Sequence, residues 1–363
     1  MRRPIAAVAV GIALAVIGTS RASDDTASLS AQDIYDGACA SCHGVDGRGA
    51  PEGTAITVPL PDFTDCSTAT REDDASWLHL IEYGGAGLGL SPQMPAFANV
   101  LTPDQRQTVL DYVRSLCRDP RWPRGELNFR RPIFTTKAFP EDEALLFEDF
   151  ARGRDGVHDW STEASVEHRV GPRGQIELAV PLAVHDMRGG STTGGVGDIT
   201  TAYKHVLYAS LRNRSILSAG LDLVLPTGDR KRSLGNGTVS FEPALLAGKE
   251  LGNFVMQGEI RGVAPVDEGR ADREVRYDLA FSYALSRLRR AWVPAVEVET
   301  RQNVTTDQHH VLVTPQIYKG LSKRGHIAVG IGAQVPVAGD ARPFDYRIVG
   351  FLLWDYADGG LWW

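Results

Sequence analysis

The sequence predicts a multidomain protein, in which a small all-α domain is followed by an all-β, antiparallel β-barrel of the membrane type. Residues 30–118 have the apolar spacing of helices and contain all four cysteines. Residues 160–363 lack cysteine and alternate between apolar and polar side chains with a period of two. A short apolar run near the N-terminus predicts that the chain is exported.

The first 22 residues have the composition of a secretory signal peptide. Arg2 and Arg3 precede an apolar run over residues 5–17, and small side chains, Ser20 and Ala22, occupy the two positions before the predicted cleavage that a signal peptidase requires. The run is shorter than a bilayer-spanning helix. We expect residues 1–22 to be cleaved, with an uncleaved anchor helix as the alternative.

Composition excludes several classes of protein. Hydrophobic residues make up 43% of the chain and charged residues 23%, which excludes bulk disorder and a polytopic helical membrane protein. The net charge is −7 and there is no basic stripe, so nucleic acid is not expected as a partner. The chain contains no GxSxG, HExxH or P-loop motif, and we expect no enzymatic activity.

Residues 39–43 form a CxxCH motif with Cys39, Cys42 and His43. Two thiols one helical turn apart can add to the two vinyl groups of one porphyrin, and the adjacent histidine then lies under the iron. A zinc site is the alternative, but no second Cys/His pair with zinc spacing follows. The motif predicts one covalent haem c, with His43 as its proximal ligand.

The region resembles the class I cytochrome c family. The resemblance covers residues 30–118 and includes Ile34-Tyr35 before the motif, Gly44 after it and Gln93-Met94-Pro95 downstream. It implies a small helical fold around haem, with methionine as the distal ligand and with an aromatic side chain such as Tyr112 where the first and last helices cross.

Met94 is the predicted distal ligand. It is the only methionine of this domain and lies in a Gly/Pro-rich stretch, 51 residues after His43. The alternative is that Met94 is a core residue that fills a gap and binds no iron. His79 is the alternative ligand, although its apolar helical surroundings favour packing or a propionate contact. Methionine ligation would raise the reduction potential, whereas a second imidazole would lower it.

The end of this domain is predicted in detail. Thr102 and Gln105 form a capping box before a helix. Its apolar stripe consists of Val109, Tyr112, Val113 and Leu116. Cys66 and Cys117 lie outside the haem motif and are predicted to form a disulfide, which would contribute ~4 kcal/mol in the chain-entropy model. Two free thiols are the alternative.

Residues 119–159 are predicted to be a linker, because proline and charged residues predominate at its start. A short helix is predicted within it, from Glu141 to Phe150. From residue 160 onward we expect a barrel of about 10–12 strands. In residues 175–185 one face is apolar, and it consists of Ile176, Leu178, Val180, Leu182 and Val184. Comparable strands are predicted at 164–170, 197–208, 216–226, 238–249, 254–265, 274–285, 291–300, 309–320, 326–337 and 345–356.

These strands are long, and short turns alternate with longer loops, as in outer-membrane barrels. A soluble β-sandwich is the alternative, since its core also alternates. Aromatic residues near strand ends suggest interfacial girdles: Trp160, Trp292, Phe344, Trp354, Tyr356, Trp362 and Trp363. The adjacent His309 and His310 point to opposite faces of a strand and make a weak metal site.

The barrel region is similar to the bacterial family named for the meta-pathway of phenol degradation, a family of outer-membrane transport barrels. The resemblance rests on GVGDI at 195–199, on Tyr203-Lys204 and on GLDLVLPTGD at 220–229. The terminal aromatic Trp363 also matches outer-membrane barrels.

The expected function is electron transfer by one haem anchored to an outer-membrane barrel, with the haem domain in the periplasm. Its expected partners are periplasmic redox proteins and outer-membrane lipid. One alternative is a transport or binding barrel in which the haem domain is a sensor or plug. The other is a soluble periplasmic redox subunit.

Overall fold

The structure is a computed structural model that describes residues 29–153, 156–186, 192–340 and 342–356. The predicted signal peptide, Trp362 and Trp363 lie outside these residues. Among the described residues, no helix is both long enough and apolar enough to cross a membrane.

The N-terminal domain is a cluster of short helices. They are α1 (Ala31–Ala38), α2 (Ala40–His43), α3 (Cys66–Ala69), α4 (Asp74–Gly87) and α5 (Pro103–Leu116). α1 begins with a capping box between Ser30 and Asp33. The predicted capping box of α5, formed by Thr102 and Gln105, is confirmed.

The first and last helices cross as expected. The rings of Tyr35 and Tyr112 lie 5.1 Å apart between centroids, and Val109 and Val113 are buried beside them. Cys66 and Cys117 form the predicted disulfide, with their Cα atoms 5.0 Å apart. The bond joins the start of α3 to the residue after α5.

Replacing both Cys66 and Cys117 with serine should lower the free energy of unfolding of the helical domain by ~4 kcal/mol, because the open chain regains loop entropy. The measurement is denaturant unfolding of the full chain, followed by helical circular dichroism. Reductant should shift the wild-type midpoint towards that of the variant and leave the variant unchanged. Equal midpoints without reductant would contradict the prediction.

The C-terminal domain is a closed antiparallel barrel. Its strand segments are β1 (Glu143–Arg152), β2 (His158–Val170), β3 (Gly174–Asp186), β4 (Thr192–Val196), β5 (Ile199–Ser210), β6 (Ser215–Leu225), β7 (Ser240–Leu251), β8 (Phe254–Pro265), β9 (Glu274–Tyr283), β10 (Trp292–Asn303), β11 (His309–Gly320), β12 (Ile327–Gly339) and β13 (Tyr346–Asp355). β4 and β5 both pair with β3, so they are two parts of one interrupted strand. β1 pairs with β2 and β13 and closes a barrel of twelve strands.

The barrel is apolar outside and polar inside. Ile176 and Leu178 on the outer face are 48% and 52% exposed, whereas Gln175 on the inner face is 2% exposed and Glu297 is 1% exposed. This confirms the predicted faces of β3. A soluble sandwich buries its apolar face, so the sandwich alternative is wrong and the outer face is suited to lipid.

Two predictions at the edges of the barrel are wrong. The helix predicted from Glu141 to Phe150 is strand β1, which also falls within the range predicted as linker. Its inner residues Leu145 and Phe147 pack on apolar residues inside the lumen, so apolar side chains lie on both faces in the middle of the strand and the period of two is hidden there. Phe344 is 3% exposed, so it does not belong to a girdle.

Residues 127–142, which we call the lumenal segment, lie inside the barrel. Phe129 packs at Gly248, near the turn between β7 and β8, where an added Cβ would come within 2.8 Å of its ring. Further on, Ile133 packs at Gly332 in the same manner. At the end of the segment, the Glu141 N–H donates to Gln175 at the start of β3. The segment therefore enters and leaves the lumen by the same end.

Polar contacts hold the lumenal segment in place. The Glu297 carboxylate accepts backbone N–H groups of Ile133, Phe134 and Thr135, and the Thr135 hydroxyl donates to it at 2.8 Å. The Lys204 ammonium donates to the carbonyls of Lys137 and Phe139 at 2.7 and 2.9 Å. These groups satisfy the extended backbone, which has few partners of its own.

Candidate functional site: a cavity between the helical domain and the barrel

The helical domain contains a cavity of about 760 Å³. Cys39, Cys42, His43 and Met94 all line it, and so does His79. Apolar side chains form most of its walls, among them Ile56, Val58, Leu60, Phe63, Trp77, Leu80, Ile81, Leu88, Leu90, Val109 and Val113. A cavity of this size and character fits a large, flat, apolar cofactor.

The CxxCH residues are placed by α2. The His43 ring stacks on Phe63, with centroids 4.9 Å apart. Its Nδ1 is buried and has no hydrogen-bond partner among the described residues. Burial lowers the pKa of His43, which favours the neutral imidazole that binds metals. The Cys39 and Cys42 thiols are free beside it. This set fits a c-type haem.

Met94 reaches the cavity because its loop lies against two glycines of α4. The Gly85 N–H donates to the Met94 carbonyl at 3.0 Å. Gly84 has a φ of 71°, and a Cβ there would lie 2.8 Å from the same carbonyl. His79, on α4, packs its ring on Tyr83 at 4.6 Å. The cavity thus contains both candidate distal ligands.

Barrel turns complete the cavity. Leu288, Arg289 and Arg290 come from the turn between β9 and β10, and Lys323 and Arg324 come from the turn between β11 and β12. Sequence reasoning did not predict that the barrel contributes to this site.

Ion pairs hold the two domains together at this edge. Arg289 Nε lies 3.2 Å from Asp73 Oδ2, and Asp73 also caps α4. His326 Nε2 lies 2.7 Å from Glu72 Oε1. Candidate ligand atoms of Glu72, His326 and Asp355 lie within 4.8 Å of one another.

Burial and neighbouring charges shift the pKa values of His326 and Glu72 in opposite directions. Burial lowers the pKa of His326, but the hydrogen bond with Glu72 and the charges of Glu72 and Asp355 outweigh it and raise the pKa above its usual value. Burial raises the pKa of Glu72, but His326, Arg289 and Arg324 outweigh it and hold the pKa well below the usual range. Glu72 and His326 therefore form a charged pair at neutral pH.

The contact between the domains should weaken as pH rises. Because the pKa of His326 is raised, its contribution to stability is complete below pH 6.5 and is lost as pH rises through the folded pKa. Arg289 and Arg324 keep Glu72 charged over this range. The contribution of Glu72 to stability is present above pH 4.5 and is lost only in acid. We expect the melting temperature of the helical domain to fall between pH 6 and 9 by more in the wild type than in His326→Gln. Parallel curves would contradict this.

The residues that join the domains gave no signal in the sequence. Glu72 and His326 are 254 positions apart, and nothing near either residue marks the pairing. At the weak metal site that the sequence offered at His309 and His310, His309 Nδ1 lies 2.8 Å from Asp340 Oδ2.

Family models match the sequences of both domains. The cytochrome c family model matches residues 29–117, and the model described as "Putative MetA-pathway of phenol degradation" matches residues 148–349. No curated protein matches the chain.

Among solved structures, the chain is similar to a COG4313 outer membrane channel from Pseudomonas putida F1. The identity is 13% and the TM-score 0.50, over 62% of this chain and 99% of that one. The KdgM porin matches at 8% identity with a TM-score of 0.41, over 58% and 98%. The NanC porin matches at 8% with a TM-score of 0.42, over 58% and 97%.

The first of these structures shows the same barrel fold, and the sequence match to the barrel family extends over more than half of the chain. The protein therefore belongs to the family described as "Putative MetA-pathway of phenol degradation", with a cytochrome c domain in front of its barrel.

Proposed function

We propose that this protein transfers electrons through one covalent haem c, which an outer-membrane barrel anchors at the membrane. One observation carries the proposal: a single cavity brings together the CxxCH residues Cys39, Cys42 and His43 and the distant Met94, which lies 51 residues after His43 in the chain. Cys39 and Cys42 would form the two thioether bonds, and His43 and Met94 would be the axial ligands.

The haem would supply a one-electron Fe(III)/Fe(II) couple. The residues around the haem would set the reduction potential of that couple. The Met94 thioether favours Fe(II) and raises the potential. The apolar walls exclude water and disfavour the more highly charged oxidised state.

The placement of the turns supports a periplasmic haem domain. The first strand begins and the last strand ends at the barrel end that carries the helical domain. Three of the five turns at this end are very short, 171–173, 211–214 and 252–253, whereas the longest described loop, 226–239, lies at the other end. Short turns face the periplasm in outer-membrane barrels. The expected electron donors and acceptors are therefore periplasmic redox proteins.

The rival function is transport of a solute through the barrel, and the likeness to an outer membrane channel favours it. The lumenal segment opposes it, because its side chains are buried against inner-face residues of the barrel, as Phe139 is against Val206 and Leu246. A cavity of about 80 Å³ lies beside the segment, lined by Arg131 and Lys204 among others. This arrangement favours an anchor over an open pore.

Cell fractionation with haem staining tests the proposal. The full chain should appear in the outer membrane, and its haem stain should survive denaturing electrophoresis, because thioether bonds are covalent. Replacing Cys39 and Cys42 with serine should abolish the stain and leave the barrel in the membrane. A wild-type chain without covalent haem, or one that fractionates with soluble periplasmic proteins, would refute it.

A further inference from the structure

The charges around the haem cavity are divided between the two domains. Every lysine and arginine that lines it comes from the barrel: Arg289, Arg290, Lys323 and Arg324. Among the lining residues of the helical domain, the only carboxylate is Glu72, and the only other ionisable groups are the two cysteines and two histidines. The cationic part of the cavity is therefore the part that the barrel turns build.

A haem carries two propionate groups that are anionic at neutral pH. Buried or half-buried anions need cationic or hydrogen-bonding partners, and burial without them is costly. The helical domain places no lysine or arginine on this cavity. The barrel turns supply the missing charge.

The four cations are not equivalent. Arg289 is already engaged, at 3.2 Å from Asp73 and 3.8 Å from Glu72. Among the described residues, Arg290 and Lys323 form no ion pair, and both are exposed at the cavity edge. Lys323 lies against the loop that carries Met94: a Cβ added at Gly89 would be 3.3 Å from its Cδ.

We propose that the haem propionates are bound by the barrel, through Arg290 and Lys323 with Arg324 beside them, so that the cofactor site is shared between the two domains. The inference rests on the proposed function, since it requires the haem. It goes further by assigning to the barrel turns a direct part in binding the cofactor and in setting its potential.

Removing these cations should change the haem in a defined direction. Positive charge near the haem disfavours Fe(III), so its loss favours the oxidised form. We expect Arg290→Gln combined with Lys323→Gln to raise the Fe(III)/Fe(II) ratio at a fixed applied potential by about tenfold. The pH at which the potential responds to propionate ionisation should rise, because the cations no longer stabilise the anions.

The experiment is a redox titration of the purified full chain in detergent, at several pH values. Arg287→Gln is the matched control, because Arg287 is exposed in the same turn and does not line the cavity. Arg290→Lys with Lys323→Arg keeps the charges and should restore the wild-type potential. Haem content per chain is measured for each variant.

Each outcome decides between the two ideas. A shift in the double glutamine variant that exceeds the Arg287→Gln shift, and that the charge-keeping variant reverses, supports the shared site. Haem-loaded variants with the wild-type potential and pH profile overturn the inference and leave the proposed function standing. A wild-type chain without haem overturns both.

Discussion

Replacing Met94 with leucine is expected to lower the haem potential by an amount on the order of 0.1 V, within the range of about 0.8 V that axial ligands set. Leucine keeps the cavity apolar and nearly the same size, so loss of the thioether is the main change. The ferric sulfur–iron absorption band should disappear. Redox titration and absorption spectra of the full chain give the measurement.

His79→Leu is the matched control, because His79 lines the same cavity from α4. If Met94 is the ligand, this variant should keep the sulfur–iron band and stay near the wild-type potential. A potential that rises in His79→Leu and remains unchanged in Met94→Leu would identify a bis-histidine haem instead.

Replacing Glu297 with alanine should release the lumenal segment and open the barrel to ions. The carboxylate accepts hydrogen bonds from the backbone N–H groups of Ile133, Phe134 and Thr135. Removing the carboxylate leaves these buried donors unsatisfied. The cost is on the order of 3 kcal/mol, enough to raise the population of a displaced segment more than a hundredfold. Conductance of the purified protein in planar bilayers is the measurement.

Asp278→Asn is the control for this prediction. Asp278 is also a buried carboxylate of the inner face, but it makes no hydrogen bond to the lumenal segment. Its substitution should leave conductance at the wild-type level. Equal conductance in Glu297→Ala and the wild type would show that the segment does not limit flow.

Local patterns predicted most of the fold. Strands such as β3 and β9 could be found because one face meets lipid and the other meets polar groups, which produces a strict period of two. β1 could not be found in this way. In the middle of β1 the inner residues Leu145 and Phe147 pack on Ile133 and Phe134, and the polar inner residues, Glu143 and Asp149, lie only on either side of them.

The site was predictable only in part. Cys39, Cys42 and His43 are identified by their spacing, because one porphyrin determines it. The contribution of Arg290 and Lys323 depends on turns more than 190 residues away, and that proximity exists only once the barrel has closed. A lysine in a turn is otherwise an ordinary solvated side chain.

The buried lumenal segment has a consequence for encounter kinetics. A cytochrome on a slack tether sweeps out a volume and meets its partners at a high effective concentration. Here only residues 117–126 separate α5 from the lumenal segment, and Arg289 pairs with Asp73 at the start of α4, so the helical domain cannot move far from the barrel. If the haem exchanges electrons as proposed, we expect the partner to diffuse to a fixed site, so that the observed rate rises in proportion to the concentration of a dilute partner.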